Sequence, residues 1–308
     1  MKKIIILLVL SIFNLALIAC DNKTVEPIDE TPPIVYSKIY GYEYDKDAIN
    51  DYALVWSDEF DYEGLPDSTK WGYDTGGHGW GNNELQYYTN DQNATVSDGI
   101  LTIEARKEAY PTVENKTHDW TSARLVTRNK GDWKWGRIEV KAKLPTGKGT
   151  WPAIWMLPTD WSYGSWPNSG EIDIMEHVGF DQNKIHASIH TQSYNHKKGT
   201  QKSGQKIIDT ASSEFHVYSV EWFPDQMIFS IDGVPYFTFN PFKFVAQPKN
   251  THWPFDRKFH LLLNIAIGGD WGAAQGMDPN LTNAKLEIDY VRVYQSPTIQ
   301  TLTRNIPS

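Results

Sequence analysis

The 308-residue chain has a single cysteine, Cys20, so no disulfide can form within it and no site of several thiolates is available. It lacks a basic excess: 29 Lys and Arg stand against 38 Asp and Glu, for a formal net charge of −9, and no Lys/Arg run exceeds two residues. A phosphate-binding surface needs a basic patch, which argues against nucleic acid as a partner. A neutral polysaccharide is indifferent to this charge. No apolar run is long enough to read as a confident bilayer span. No stretch of the body sustains a 3.6-residue apolar period, so helices should be few. Internal repeats are lacking, as is low-complexity sequence beyond the first fifty residues.

Aromatic residues are plentiful. Thirteen Trp and sixteen Tyr exceed what one core needs, and many sit beside Gly, Asn and Asp in expected loops. They are either rim packing or platforms for sugar rings, because an aromatic face covers the apolar C–H face of a pyranose.

The first twenty residues read as an export signal. Lys2 and Lys3 precede an apolar run from Ile4 to Ile18, shaped like a signal-peptide core. The run ends in Leu17-Ile18-Ala19-Cys20, which resembles a bacterial lipobox. Cleavage before Cys20 would leave its thiol to carry a diacylglycerol, and several acyl chains would make the attachment stable. An ordinary signal peptide with an incidental Cys, or an uncleaved anchor, is the alternative. The expected division is a signal peptide over 1–19, an anchor and tether over 20–50, a catalytic body over 51–296 and a tail over 297–308. The tether is read from Thr24 to Pro33, with three Pro, three acidic residues and little apolar content. The expected location is a bacterial envelope membrane, with the outer-membrane surface one option.

From Leu54 onward the pattern is strand-like. Residues Ile138 to Leu144 alternate apolar with charged, the period of a strand with one wet face. Val217 to Phe223, Met227 to Ile231, Phe259 to Ile267 and Leu286 to Tyr294 also read as strands. Pro224-Asp225, Asp232-Gly233 and Gly268-Gly269-Asp270 read as turns, and Asp232-Gly233 before Val234 reads as a hairpin. Many strands with short turns predict one large all-β sandwich.

The segment Gly170-Glu171-Ile172-Asp173-Ile174-Met175-Glu176-His177 alternates acid with aliphatic and then breaks step. In a regular strand Glu171, Asp173 and Met175 share a face, and Glu176 points into the core, which is costly for a charge. A one-residue bulge at Ile174-Met175 resets the parity and brings Glu176 to the face of Glu171 and Asp173. Three converging acids repel one another and raise their pKa values, so one can hold a proton at neutral pH. Retaining glycosidases need that: a nucleophilic carboxylate and a protonated acid about 5–5.5 Å apart. A calcium site or a solvated acidic face accounts equally for the spacing alone.

The Glu-Ile-Asp-Ile-Met-Glu run resembles the active-site signature of glycoside hydrolase family 16, in its bulged, laminarinase-like form. Seven further blocks in the same order carry the resemblance across the body: Val55–Phe60, Asn82–Tyr88, Ser122–Arg124, Trp151–Leu157, His186–His190, Asn264–Gly269 and Asp289–Tyr294. It implies a β-jelly roll of two antiparallel sheets with a concave glycan-binding cleft. It implies Glu171 as nucleophile, Glu176 as acid/base, Asp173 as their assistant and His190 near the reaction centre. It implies sugar contacts from Asn83, Arg124, Trp151, Trp155 and Trp271, and a structural calcium at Glu59, Gly99 and Asp289, with no cofactor for catalysis. His177, His186 and His216 read as structural. Relatives often carry Gly-Gly-Asn-Trp-Gly-Gly where this chain has Gly268-Gly269-Asp270-Trp271-Gly272-Ala273, which puts the preferred linkage in question.

The implied activity is retaining, endo-acting hydrolysis of β-1,3-glucan or mixed-linkage β-1,3-1,4-glucan by a monomer, anchored to a membrane by its lipid. Agar and carrageenan hydrolases of the same family usually need basic pockets for sulfate, and no basic cluster is evident near the cleft blocks. A transglycosylase shares the same intermediate, and a non-catalytic surface glycan-binding protein shares the fold. Loss of an acid would mark the latter, and all three are present.

Overall fold

Alternation in the sequence becomes alternation in burial. In the strand Gly136–Lys143 of the computed structural model, Ile138, Val140 and Ala142 are fully buried while Arg137, Glu139, Lys141 and Lys143 are half-buried. Each buried aliphatic side chain contributes about 1.5–3 kcal/mol relative to exposure, and that gain fixes which face turns inward. The structure describes residues 36–39, 42–113 and 116–304. Cys20, the signal segment and the tether before residue 36 lie outside the described residues. Among the described residues, no helix is long and apolar enough to cross a membrane.

Two large sheets make an all-β jelly-roll sandwich. The ten-stranded sheet has Gly136–Lys143 at its centre, paired antiparallel with His216–Trp222 on one side and Asn283–Gln295 on the other. The eight-stranded sheet runs Lys202–Ile207, Lys184–His190, Glu171–Glu176, Thr150–Pro158, Phe259–Ile267, Arg124–Val126, Gly72–Tyr73, with Asp132–Trp133 as the eighth strand, paired to Phe259–Ile267. Its pairings are all antiparallel. In the other sheet Tyr87–Tyr88 lies parallel to Thr117–Ser122. The core fills the space between, with Ile138, Val140, Ile172, Ile189, Leu263 and Val291 all wholly buried. Phe259–Ile267 is buried at every position because it sits mid-sheet, with the core on one face and the cleft side chains over the other.

The strands expected at 227–231 and 259–267 have those bounds, and the other expected strands are present with ends shifted by a few residues. The hairpin at Asp232-Gly233 turns with φ of +51° and +74°, the double left-handed conformation of the tightest hairpin turns. The Asp232 carboxylate also accepts from the Val217 N–H at 2.8 Å and pairs with His216 Nδ1 at 2.7 Å, so the turn residue clamps the neighbouring strand. Two helical turns were not foreseen. Gly269–Gly272 forms one turn where a simple reversal was expected. Pro297–Thr303 is a helix within the expected tail: Ser296 caps it, Ile299 is buried, and Asp51 accepts from Ser296 and from the Thr298 N–H.

The expected calcium donors need correction. Val291 pairs with Asp58 and Ile288 with Leu101, so Glu59 and Gly99 flank the same stretch of strand as Asp289. The carboxylates, however, face cations. Arg292 grips Glu59 with two nitrogens, at 2.8 and 3.0 Å, and Lys141 holds Asp289 Oδ2 at 2.6 Å. Charges that alternate along neighbouring strands neutralise one another, and the Glu59 side chain does not fit as a metal ligand.

Candidate active site

The kink expected in the acidic strand is present. Trp155 pairs with Asp173 and Ile154 with Met175, which leaves Ile174 without an opposite number. On the other side Asp173 pairs with Ser188 and Glu176 with His186, so Ile174 and Met175 together oppose one residue. Ile172, Ile174 and Met175 all enter the core, while Glu171, Asp173 and Glu176 all line one cleft. Gly170 starts the strand at φ +88°, and a Cβ there would lie 2.8 Å from Phe255 and 2.9 Å from Pro254. A bare backbone is therefore required just before Glu171.

Indole N–H groups hold the two outer acids. Trp166 Nε1 donates to Glu171 Oε2 at 3.0 Å, and Trp151 Nε1 donates to Glu176 Oε1 at 3.1 Å. His190 Nε2 lies 3.2 Å from Asp173 Oδ2, without the alignment of a hydrogen bond, and 3.7 Å from Glu171 Oε1. Burial pushes Glu171 and Glu176 up to about 8, and the Asp173 charge adds to both; His190 and the indoles pull the other way. Burial alone holds Asp173 well above the usual carboxylate range. These acids titrate as a set, and at neutral pH the set retains protons while carrying negative charge. Glu171, Asp173 and His190 offer atoms within 4.8 Å of one another. One imidazole and two carboxylates do not make the all-oxygen shell that calcium takes, so the calcium reading of this strand loses its support.

The cleft has a volume of about 420 Å³. On one flank Trp151 and Trp155 line it, and the Trp155 N–H donates to Asn264 Oδ1 at 2.7 Å. Asn264 in turn donates to Tyr88 OH at 3.0 Å, and Tyr88 reaches Glu84. Arg124 is buried between two indoles, 4.6 Å from the Trp80 ring and 4.7 Å from the Trp155 ring, and pairs with Asp74 at 3.3 Å. A guanidinium fixed in this way presents a rigid face to the cleft.

Two expected sugar contacts are displaced from the cleft wall. Asn83 is exposed at φ +57° and donates its amide to Asp270 Oδ1 at 2.8 Å, so its neighbour Asn82 takes the lining position. Asp270, the departure noted in the sequence, is thus an acceptor for Asn83. Trp271 is outside the lining around the acids and meets Trp151 edge-on at 5.5 Å and His186 edge-on at 5.0 Å. It braces a platform. His177 is buried and its Nε2 accepts from the Asn183 N–H; burial pushes it down to about 4.

Residues not anticipated from sequence are Trp80, Glu84, Tyr88, Trp166, His196, Lys197 and Asn264. Glu84, Tyr88 and Asn264 fell inside the family-like blocks, so the signal existed without a role attached. Trp166 lies in a turn, and the pair His196-Lys197 opens the single helical turn His196–Lys198. Lys197 Nζ sits 5.0 Å over the Trp166 ring, and His196 stacks at 5.1 Å from the same ring. A cation thus reaches the cleft where the sequence showed no basic cluster.

With this geometry in view, the likenesses are specific. The model of glycosyl hydrolases family 16 matches residues 81–292. A β-glucanase of Rhodothermus marinus is 54% identical over 250 residues, covering 79% of this chain and 85% of its own. The glucan endo-1,3-β-glucosidase of Cryptopygus antarcticus is 36% identical, over 78% of this chain and 91% of its own. Among solved structures, the laminarinase from Rhodothermus marinus superposes with a TM-score of 0.76 at 53% identity, over 80% of this chain and 98% of that one. A non-specific endo-β-1,3(4)-glucanase superposes with a TM-score of 0.75 at 45% identity, over 80% and 92% respectively.

Proposed function

We infer that this chain, which belongs to glycosyl hydrolase family 16, is an endo-β-1,3(4)-glucanase of the laminarinase type that hydrolyses β-1,3-glucan. The observation that carries the chemistry is the bulge: it puts Glu171, Asp173 and Glu176 on one cleft face between two indole donors.

The proposed reaction is double displacement. Glu171, kept on station by the Trp166 N–H, attacks the anomeric carbon. Glu176, which burial keeps protonated near neutrality, gives its proton to the departing glycosidic oxygen. Water then enters, Glu176 takes its proton, and the bond from sugar to Glu171 breaks with retention of configuration. Asp173 holds a proton next to the nucleophile, and its neutrality is what lets Glu171 stay ionised. His190, beside both, steadies the charge that remains. Trp151, Trp155 and Arg124 hold the sugar chain on one flank.

Chromatography of the products from laminarin, barley β-glucan, agarose and carrageenan, with the unmodified protein and with Glu171→Gln, tests this reading. Oligosaccharides from the two glucans are expected, with no products from the Gln variant. A folded protein inert on both glucans, or a fully active Gln variant, refutes it.

The reading extends to place and assembly. Leu17-Ile18-Ala19-Cys20 supports export and lipid anchoring at Cys20, with the tether over 20–50 and the catalytic body over 51–296. Labelled palmitate should enter the unmodified chain and not Cys20→Ser. A monomer is proposed, and light scattering on the purified protein tests it. A structural calcium is proposed on the Asp289 carboxylate oxygen not taken by Lys141, with main-chain carbonyls of Glu59 and Gly99. Its expected signature is a rise in Tm with calcium that Asp289→Ala abolishes.

A further inference from the structure

A second hollow, of about 190 Å³, lies apart from the cleft-lining residues. It is formed by the segment that follows the strand Val234–Phe239. Pro241, Phe242 and Pro248 give it apolar sides, Gln247 and Asn250 give it amides, and Trp253 forms part of its lining. Its foundation is rigid. Trp253 stacks on Phe239 at 5.7 Å and meets Phe255 edge-on at 5.0 Å. Asn240 caps the short helix Pro241–Lys243 by accepting from the Phe242 N–H at 2.9 Å.

Its groups are unspent. Phe242 is 42% exposed, so its ring is free to take a partner. Gln247 and Asn250 are exposed. The Trp253 side chain is only 3% exposed, and its indole N–H is buried without a hydrogen-bond partner among the described residues. A buried donor left in that state is costly. A partly exposed ring and two exposed amides are the complement of a pyranose, whose C–H face is apolar and whose rim is hydroxyl.

The segment that forms the hollow also touches a segment that reaches the cleft. Tyr194 packs against Phe239, Phe244 and His252, and the Ser193 N–H donates to Thr251 O at 2.9 Å. Two residues further on, His196 and Lys197 face the catalytic cleft. Arg124 and Trp155 hold the opposite flank of the catalytic strand, since Glu171–Glu176 lies between Thr150–Pro158 and Lys184–His190 in the sheet. Through Ser193 and Tyr194 the segment that forms the hollow is thus joined to the residues that line the Trp166 and Lys197 end of the cleft.

From these observations, and resting on the glucanase reading above, we propose that the 241–253 hollow is a second binding site for the β-glucan chain. It holds a sugar of the same polymer that occupies the cleft. One ring and a few hydrogen bonds give weak binding alone, and the gain comes from linkage, because a tethered second contact acts at an effective concentration on the order of millimolar. Polymer should benefit and short oligosaccharides should not.

The test uses the full chain. In a Glu171→Gln background, which holds glucan without cutting it, retention on insoluble linear β-1,3-glucan is compared with and without Phe242→Ala plus Asn250→Ala. In the active background, kcat/KM is measured on soluble laminarin and on a β-1,3-linked tetrasaccharide. A fall of about 3–10-fold in retention and in kcat/KM on laminarin is expected, with the tetrasaccharide rate unchanged. Phe242→Trp should raise retention, since a larger ring stacks better. Unchanged retention overturns the proposal, as does an equal loss on polymer and tetrasaccharide. Failure of the glucanase reading shows elsewhere, as an unmodified protein that cuts neither substrate.

Discussion

Replacing Glu171 by Gln should stabilise the protein, and more so as pH rises. The folded state raises this carboxyl from an ordinary 4.5 to about 8, mainly by burial and next by the charge of Asp173. Between those values the folded chain binds more protons than the unfolded one, so stability falls as pH rises through the window. At about 1.4 kcal/mol for each tenfold change in proton affinity, the ceiling is about 5 kcal/mol. Repulsion is shared with Asp173 and Glu176, and the new amide is itself a buried polar group, so about 2 kcal/mol is the working figure at pH 8. In a domain of this size that is about 4–8 °C in Tm. The assay is thermal unfolding of both proteins from pH 4 to pH 8.5. The two curves should nearly coincide at the acid end and separate steadily above pH 5. A Gln variant no more stable at pH 8 than the unmodified protein refutes the claim that this carboxyl is held under electrostatic strain.

Other perturbations follow from the same geometry. Deleting Met175 removes the extra residue, and regular alternation then keeps Glu176 on the face of Glu171 and Asp173; kcat should stay within about 100-fold of the unmodified protein, and a loss beyond about 1,000-fold with the fold intact by circular dichroism would show that the bulge does more than reset parity. Trp166→Phe removes the N–H that favours ionised Glu171, a bond worth about 1.5–3 kcal/mol to a charged acceptor. Its kcat should drop about 10–100-fold, and the acid limb of the pH–rate profile should move to higher pH. Arg124→Lys keeps the charge but loses the plane between Trp80 and Trp155, so KM for laminarin should rise about tenfold, while an unchanged KM would discount the stacked guanidinium.

The parity break was legible because a strand's period is two and a buried glutamate is costly: unbroken alternation would have sent Glu176 into the core, so the residue order itself demanded a bulge. The same logic placed Met227–Ile231 and Phe259–Ile267 within their observed bounds. What failed depended on backbone events that leave no period. Asn82 and Asn83 are adjacent and chemically identical, yet a positive φ at Asn83 sends its amide to Asp270 and gives the cleft to Asn82. Trp166 stands only five residues before Glu171, but its N–H reaches the carboxylate through an intervening turn that no alternation encodes. The resemblance implied Glu59 as a metal donor, whereas the partner its carboxylate finds, Arg292, is set by cross-strand register.

That division has a physical root. Burial acts on every residue of a strand, so many side chains vote for the same register, and a single sequence records the vote. A loop position is decided by one dihedral or one hydrogen bond, worth about 1 kcal/mol, and leaves no redundant trace. The three acids belong to the first class, since the core side chains between them enforce their face. Trp166 and Lys197, which reach the cleft from outside the strands, belong to the second. Variation among related enzymes with this strand should therefore fall on the positions of Trp166, Lys197 and Asp270, and altering Lys197→Ala should change substrate preference while leaving the carboxylates' pH dependence in place. A Lys197→Ala protein whose pH–rate profile shifts as far as that of Trp166→Phe would show that loop and strand are not separable in this way.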